Sequence, residues 1–256
     1  MSNQSPSESS PSSDLELKAD AQPTAAWIRF VGVTSAGIAA AIASYFVLSS
    51  IGIVYPTPPE LMNLGATPTA EERAIATAAK VRADSGNGMI WLGTAGAILG
   101  GLVVLLSGLL SGSGRRTPIA TIAAVILAGG LGCLAGHWIV GFHQRINLGL
   151  QGDRSAAESQ FMMMHAAGWA AVGLGMGIGY GLLAPTSKLR IGGRSAMIGG
   201  IVGAVAGAAY PILVGVAAPL VDSSRPIPEP GTALVVWLSI PAVLIAAAFS
   251  RNSCTE

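Results

Sequence analysis

Long uncharged stretches alternate with short polar connections along the chain. Segments 30–55, 88–112, 118–142, 161–184, 195–220 and 231–250 contain no Asp, Glu, Lys or Arg. Each is near or above the roughly 20 residues that a helix needs to cross about 30 Å of hydrocarbon. A strand barrel would instead show short segments of alternating character. A helix satisfies its backbone hydrogen bonds internally, which is what hydrocarbon demands. The pattern therefore predicts an all-α fold, a polytopic transmembrane bundle of about six spans.

The polar segments complete the outline. Residues 1–26 are rich in Ser, Pro, Gln and acids, too polar to offset the entropy of ordering, so a disordered tail is expected there. They lack the basic start and short apolar core of a signal peptide, and the run from Trp27 is too long for one, so it is expected to stay as a helix. Residues 251–256 form a short C-terminal tail. The longest connection, 56–87, opens with a Pro-rich turn and then predicts one short extracytoplasmic loop helix at about 70–85. Thr69 and Glu72 have the spacing of a capping box. Ile75, Ala78 and Ala79 give that helix a weak apolar stripe suited to packing over the bundle. Trp27, Trp91, Trp138 and Trp169 fall near predicted helix ends, where indole rings anchor at the headgroups.

Composition agrees with the pattern: 51% of residues are hydrophobic and 11% charged, against about 25% charged in an average soluble chain. A net charge of +1 without a basic block gives no reason to expect a nucleic acid partner. The lipid bilayer is the partner that the composition implies. Two cysteines, Cys133 in a span and Cys254 near the end, cannot staple a secreted scaffold. The turn after the second span carries Arg115 and Arg116, and the turn after the fourth carries Lys188, Arg190 and Arg194, with no acid in either. Purely basic short turns belong in the cytoplasm, which places both termini there in a multi-pass protein of the cell (inner) membrane.

Glycine is the most distinctive residue, 34 in all. Gly173, Gly177 and Gly181 recur every fourth residue in the fourth span, beside Gly175 and Gly179. Gly199, Gly203 and Gly207 do the same in the fifth, and Gly96 with Gly100 and Gly132 with Gly136 repeat the spacing. Small residues at this interval let helix backbones approach closely. They suit packing within the chain, and equally association with other membrane proteins or a homo-oligomer. The run 173–181 has no preceding strand, so the context of a phosphate-binding loop is missing.

Candidate chemistry is sparse. A charge inside a membrane usually marks an ion or proton pathway, and the spans hold none. Cys133 and His137 lie one turn apart, and Met162, Met163, Met164 and His165 open the fourth span at a similar expected depth. Soft sulfur and imidazole donors suit copper, and His137 with His165 suits a haem iron held from two helices. Without a spacing motif behind them, no cofactor is expected, and His143 and His165 read as solvated residues near span ends. Pro211 and Pro241 fall inside spans, where each removes a backbone donor.

Two segments carry resemblances. Gly168-Trp169, the run 173–182, the basic turn 188–194 and the glycine-rich stretch 198–207 together resemble a multi-span bacterial membrane segment that accompanies forkhead-associated and kinase modules. That likeness covers 165–212 without an attached phosphopeptide-binding or kinase module, and it implies an anchoring or assembly unit. Ile227-Pro228-Glu229-Pro230-Gly231-Thr232, then an apolar helix and Arg251, resembles the sorting signal of exosortase-type transpeptidases. The tail here is less basic than in that family. A structural, anchoring or accessory subunit is the function these features favour. A passive channel or transporter for a small or neutral solute is the alternative, and a haem- or copper-binding redox protein a third.

Overall fold

The computed structural model of the chain describes residues 12–63, 65, 67–149, 154–184, 189–219, 225–228 and 231–252. Among them are seven helices and no strand: α1 (Ser12–Ile51), α2 (Pro59–Met62), α3 (Ala70–Leu110), α4 (Arg116–Gly149), α5 (Arg154–Gly181), α6 (Leu189–Ala217) and α7 (Thr232–Asn252). All except α2 are long and apolar enough to cross a membrane, so the protein is an all-α multi-pass membrane protein with six candidate spans.

Neighbours in sequence pack as neighbours in space from α3 to α7, and α1 closes the circuit by packing against both α7 and α3. The interior of this circuit is filled, because α3 and α5 touch directly across it. Trp169, Trp237, Tyr210, Phe249, Leu92 and Leu99 are among the largest side chains buried there. The buried polar side chains among the described residues are Ser, Thr and His. Large apolar residues also point outward, such as Phe46 on α1, Ile126 on α4 and Val205 on α6, each more than 60% exposed. A water-soluble domain rarely exposes contiguous apolar faces of this kind, and the bilayer is what covers them.

Helix ends follow local chemistry. Thr69 and Glu72 form the expected capping box: the Thr69 hydroxyl accepts from the Glu72 N–H at 3.2 Å, and the Glu72 carboxylate accepts from the Thr69 N–H at 2.7 Å. These bonds from Thr69 hold the Glu72 carboxyl below its usual range. At the other end of α3, Gly112 has a positive φ of 65°, its N–H reaches the Leu109 carbonyl at 3.2 Å, and the Ser113 N–H reaches Gly108 at 3.0 Å. This Schellman closure turns the chain into α4 within five residues, and the positive φ is why glycine occupies 112.

Several expectations from the pattern need correction. The loop helix at 70–85 is the start of α3, which continues without a break into the second span. Between Ala70 and Gly88 the sequence holds no proline and mostly good helix formers, so nothing ends the helix at the membrane boundary. That arm does not pack over the bundle, since burial in α3 begins at Ala83 and Ile75 is 51% exposed. α1 begins at Ser12, inside the segment expected to be disordered, because adding turns to an existing helix avoids the cost of nucleation. Residues 1–11 lie outside the described residues. Trp91 and Trp169 are core residues at 5% and 1% exposure, so position near a helix end did not decide which face they occupy. Trp27 and Trp138 are exposed.

The connection after α1 is fixed by side chains on α3. Asn87 Oδ1 accepts from the Val54 and Tyr55 N–H groups, both at 3.0 Å, while its Nδ2 donates to the Tyr55 carbonyl at 3.0 Å. Trp91 Nε1 donates to the Gly52 carbonyl at 3.1 Å, and the Tyr55 ring lies over Gly86 where a methyl would sit. Asn87→Ala removes three bonds at once and is expected to destabilise the protein by about 1–3 kcal/mol. Thermal unfolding in mild detergent checks this, with faster proteolysis within 53–63 as the local signature; an unchanged midpoint and digestion pattern would contradict the clamp.

Candidate functional site

The spans carry two constellations of candidate site residues: the glycine lines and a buried histidine cluster. Glycine lacks a Cβ, so wherever a built Cβ would overlap a neighbouring backbone, only glycine permits the observed approach. Between α5 and α6 this happens five times in succession. Gly181 faces Gly192, Gly177 faces Ser195, Gly173 and Gly199 face each other, Gly203 faces the Trp169 carbonyl and Gly207 the His165 carbonyl. Positions fall by about four on one helix as they rise by about four on the other, the register of a long antiparallel contact. All six glycines singled out in the sequence, Gly173, Gly177, Gly181, Gly199, Gly203 and Gly207, lie in it.

The same arrangement joins α3 to α4. A Cβ at Gly88 would sit 2.6 Å from the Gly136 carbonyl, one at Gly132 2.6 Å from that of Leu92, and one at Gly100 2.9 Å from that of Ala124. The alternating run in α5 now has a physical reason. Gly173, Gly177 and Gly181 face α6, whereas Gly175 and Gly179, two residues out of phase, face Leu127, Ala128 and Ala124 on α4. One helix thus offers smooth backbone to two neighbours at once.

The histidine cluster ties α5, α6 and α7 together. His165 on α5 is 1% exposed, and the indole Nε1 of Trp237 on α7 donates to its Nδ1 at 3.3 Å. With Nδ1 as acceptor, the neutral imidazole carries its proton on Nε2. The Tyr210 ring on α6 meets His165 edge-on at 4.6 Å, and Trp169 meets Trp237 edge-on at 5.0 Å. Nearer the end of α5, Tyr180 stacks on Phe249 of α7 at 4.6 Å and donates its hydroxyl to the Phe249 carbonyl at 3.1 Å. Position near the start of a span suggested a solvated His165; the fold buries it instead, because its face of α5 meets α6 and α7. His143 is also partly buried, against Phe161 of α5 at 5.5 Å.

The three candidate metal ligands do not converge. Cys133 on α4 turns toward Gly93 of α3, His137 opens outward, and His165 points into the bundle. Among the described residues no group of three His, Cys, Asp or Glu is placed to hold a metal ion. No family model, curated protein or solved structure matches the chain.

What this arrangement does is hold helices at fixed register. Neither constellation presents a nucleophile, a carboxylate pair or an open cleft. Asn87, Trp237 and Tyr210 gave no signal in the sequence, since their roles depend on partners 32 to 72 residues away. Gly173→Val or Gly203→Val must push α5 and α6 apart and is expected to cost at least about 1–3 kcal/mol each. Gly215→Ala on α6, where a Cβ meets nothing within 4 Å, should leave stability unchanged or raise it by up to about 1 kcal/mol. Thermal unfolding of the three variants in one detergent separates them; equal midpoints would show that the glycine contact is dispensable.

Proposed function

We propose that the protein is a structural, anchoring or accessory subunit of the bacterial cell membrane, with both termini in the cytoplasm, whose rigid bundle holds a partner through the arm of α3. The observation that carries this is the pairing of a filled interior with an unpacked projection. α3 and α5 meet where a translocation path would run, with a Cβ at Gly168 reaching Leu92 at 3.2 Å and one at Gly96 reaching Val172 at 3.3 Å. A channel or transporter needs an opening or a moving element there, and the glycine register favours a static contact.

The arm supplies the other half. From Ala70 to the start of the uncharged stretch at Gly88, α3 extends roughly 25 Å beyond the hydrocarbon at 1.5 Å per residue. It is exposed at most positions, carries Glu71, Glu72, Arg73, Lys80 and Arg82, and is fixed at its base by the Asn87 clamp. A helix whose outer turns, before burial begins at Ala83, are largely solvated is suited to meeting another protein. The basic turns support the orientation, and they lie on one side of the bundle: Arg116, the first residue of α4, donates to the Ala184 carbonyl at 2.5 Å, linking the start of α4 to the chain just after α5.

Photo-crosslinking in cells tests the proposal. A crosslinker at Ala74 or Ala78, both exposed on the arm, is expected to give a discrete protein adduct, whereas one at Val205 on the apolar face should give lipid adducts. Lipid or no adduct from the arm, together with proteoliposomes that pass neutral solutes faster than empty vesicles, would overturn it in favour of a pore.

A further inference from the structure

We infer that α4 carries a phospholipid-binding site at the membrane boundary, in which His137 donates a hydrogen bond to the lipid phosphate and Trp138 and Phe142 bracket the headgroup. His137, Trp138, Gly141 and Phe142 line a depression of about 340 Å³ on the outward face of α4. Trp138 is 76% exposed, and His137 is exposed beside it. The helix register fixes the depth. Gly136 packs on Gly88, the first residue of the uncharged stretch of α3, so His137 stands where hydrocarbon gives way to headgroups.

The surface below the depression is shaped for an acyl chain. Ile122, Ile126, Gly130, Leu134 and Trp138 follow one another every fourth residue along one line of α4. The four side chains larger than glycine are each at least 60% exposed. A Cβ at Gly130 or Gly141 would meet nothing within 4 Å, so neither glycine serves a helix contact and each leaves a notch in the lipid-facing surface. This surface is continuous with the apolar face that the bilayer already covers, which is why the occupant is a lipid. One imidazole donor among apolar walls matches a ligand with a phosphate at one end and hydrocarbon at the other.

Native mass spectrometry of the full-length protein, released from detergent with added phosphatidylglycerol, tests the site. The wild type is expected to retain one lipid per chain, and diacylglycerol, which lacks the phosphate, to bind about tenfold more weakly. His137→Leu should lower phosphatidylglycerol affinity about tenfold, and Gly141→Leu should abolish the retained adduct by filling the floor. Gly215→Leu, an open position on α6, should retain lipid as the wild type does. Equal retention by wild type, His137→Leu and Gly141→Leu would overturn the inference. So would a wild-type dimer that Gly141→Leu splits, since a second copy of the chain would then occupy the groove.

Discussion

Direct backbone-to-backbone contact between α5 and α6 is the constraint on which the rest of the bundle depends. Lipid tails are as apolar as the helices, so burying leucine against leucine gains little in a bilayer. Association must come from closer van der Waals contact than lipid can offer. Five successive positions where only glycine fits bring the two helices to that separation. The α3–α4 pair is built alike, and α5 joins the pairs through Gly175 and Gly179. Gly37 of α1 against the Ala242 carbonyl of α7, where a Cβ would sit at 2.7 Å, brings the first and last helices together.

Once the backbones are set, the larger side chains have fixed places. Trp169, Trp237, Tyr210 and His165 fill the space where α5, α6 and α7 meet, and the Trp237–His165 hydrogen bond satisfies polar groups that hydrocarbon would leave unpaired. At the membrane boundary the same economy appears in Asn87, whose one amide stands in for a strand partner to Val54 and Tyr55. Rigidity inside and a clamped connection outside leave the arm of α3 as the projecting element on which the proposed anchoring role rests.

Much of this architecture is legible in the sequence. Six uncharged stretches mark six spans because hydrocarbon excludes charge, and Thr69 with Glu72 marks a helix start because capping is local chemistry. The small-residue spacing marks packing faces, though not which helix each meets: Gly173 and Gly175 look alike in sequence and face different partners. Depth and facing are the quantities that sequence withholds. Trp169 and Trp138 both sit near span ends, and only the fold shows one in the core and the other toward lipid. His137 and His165 look like a pair and are separated by the same effect. The extent of α3 was hidden for another reason, since a helix nucleated in the membrane continues into water wherever no breaker stops it. The Pro-Glu-Pro resemblance falls in part on Glu229 and Pro230, outside the described residues, while Pro228 is buried.

Disulfide trapping across α5 and α6 tests the central contact most directly. A Cβ at Gly200 lies 3.7 Å from that of Leu174, within the range a disulfide spans. In a chain with Cys133 and Cys254 replaced by alanine, Leu174→Cys with Gly200→Cys is expected to crosslink readily in native membranes under mild oxidation, and Leu174→Cys with Ala204→Cys, about one turn out of register, to crosslink poorly. Preferential crosslinking of the out-of-register pair, or none by either, would contradict the account.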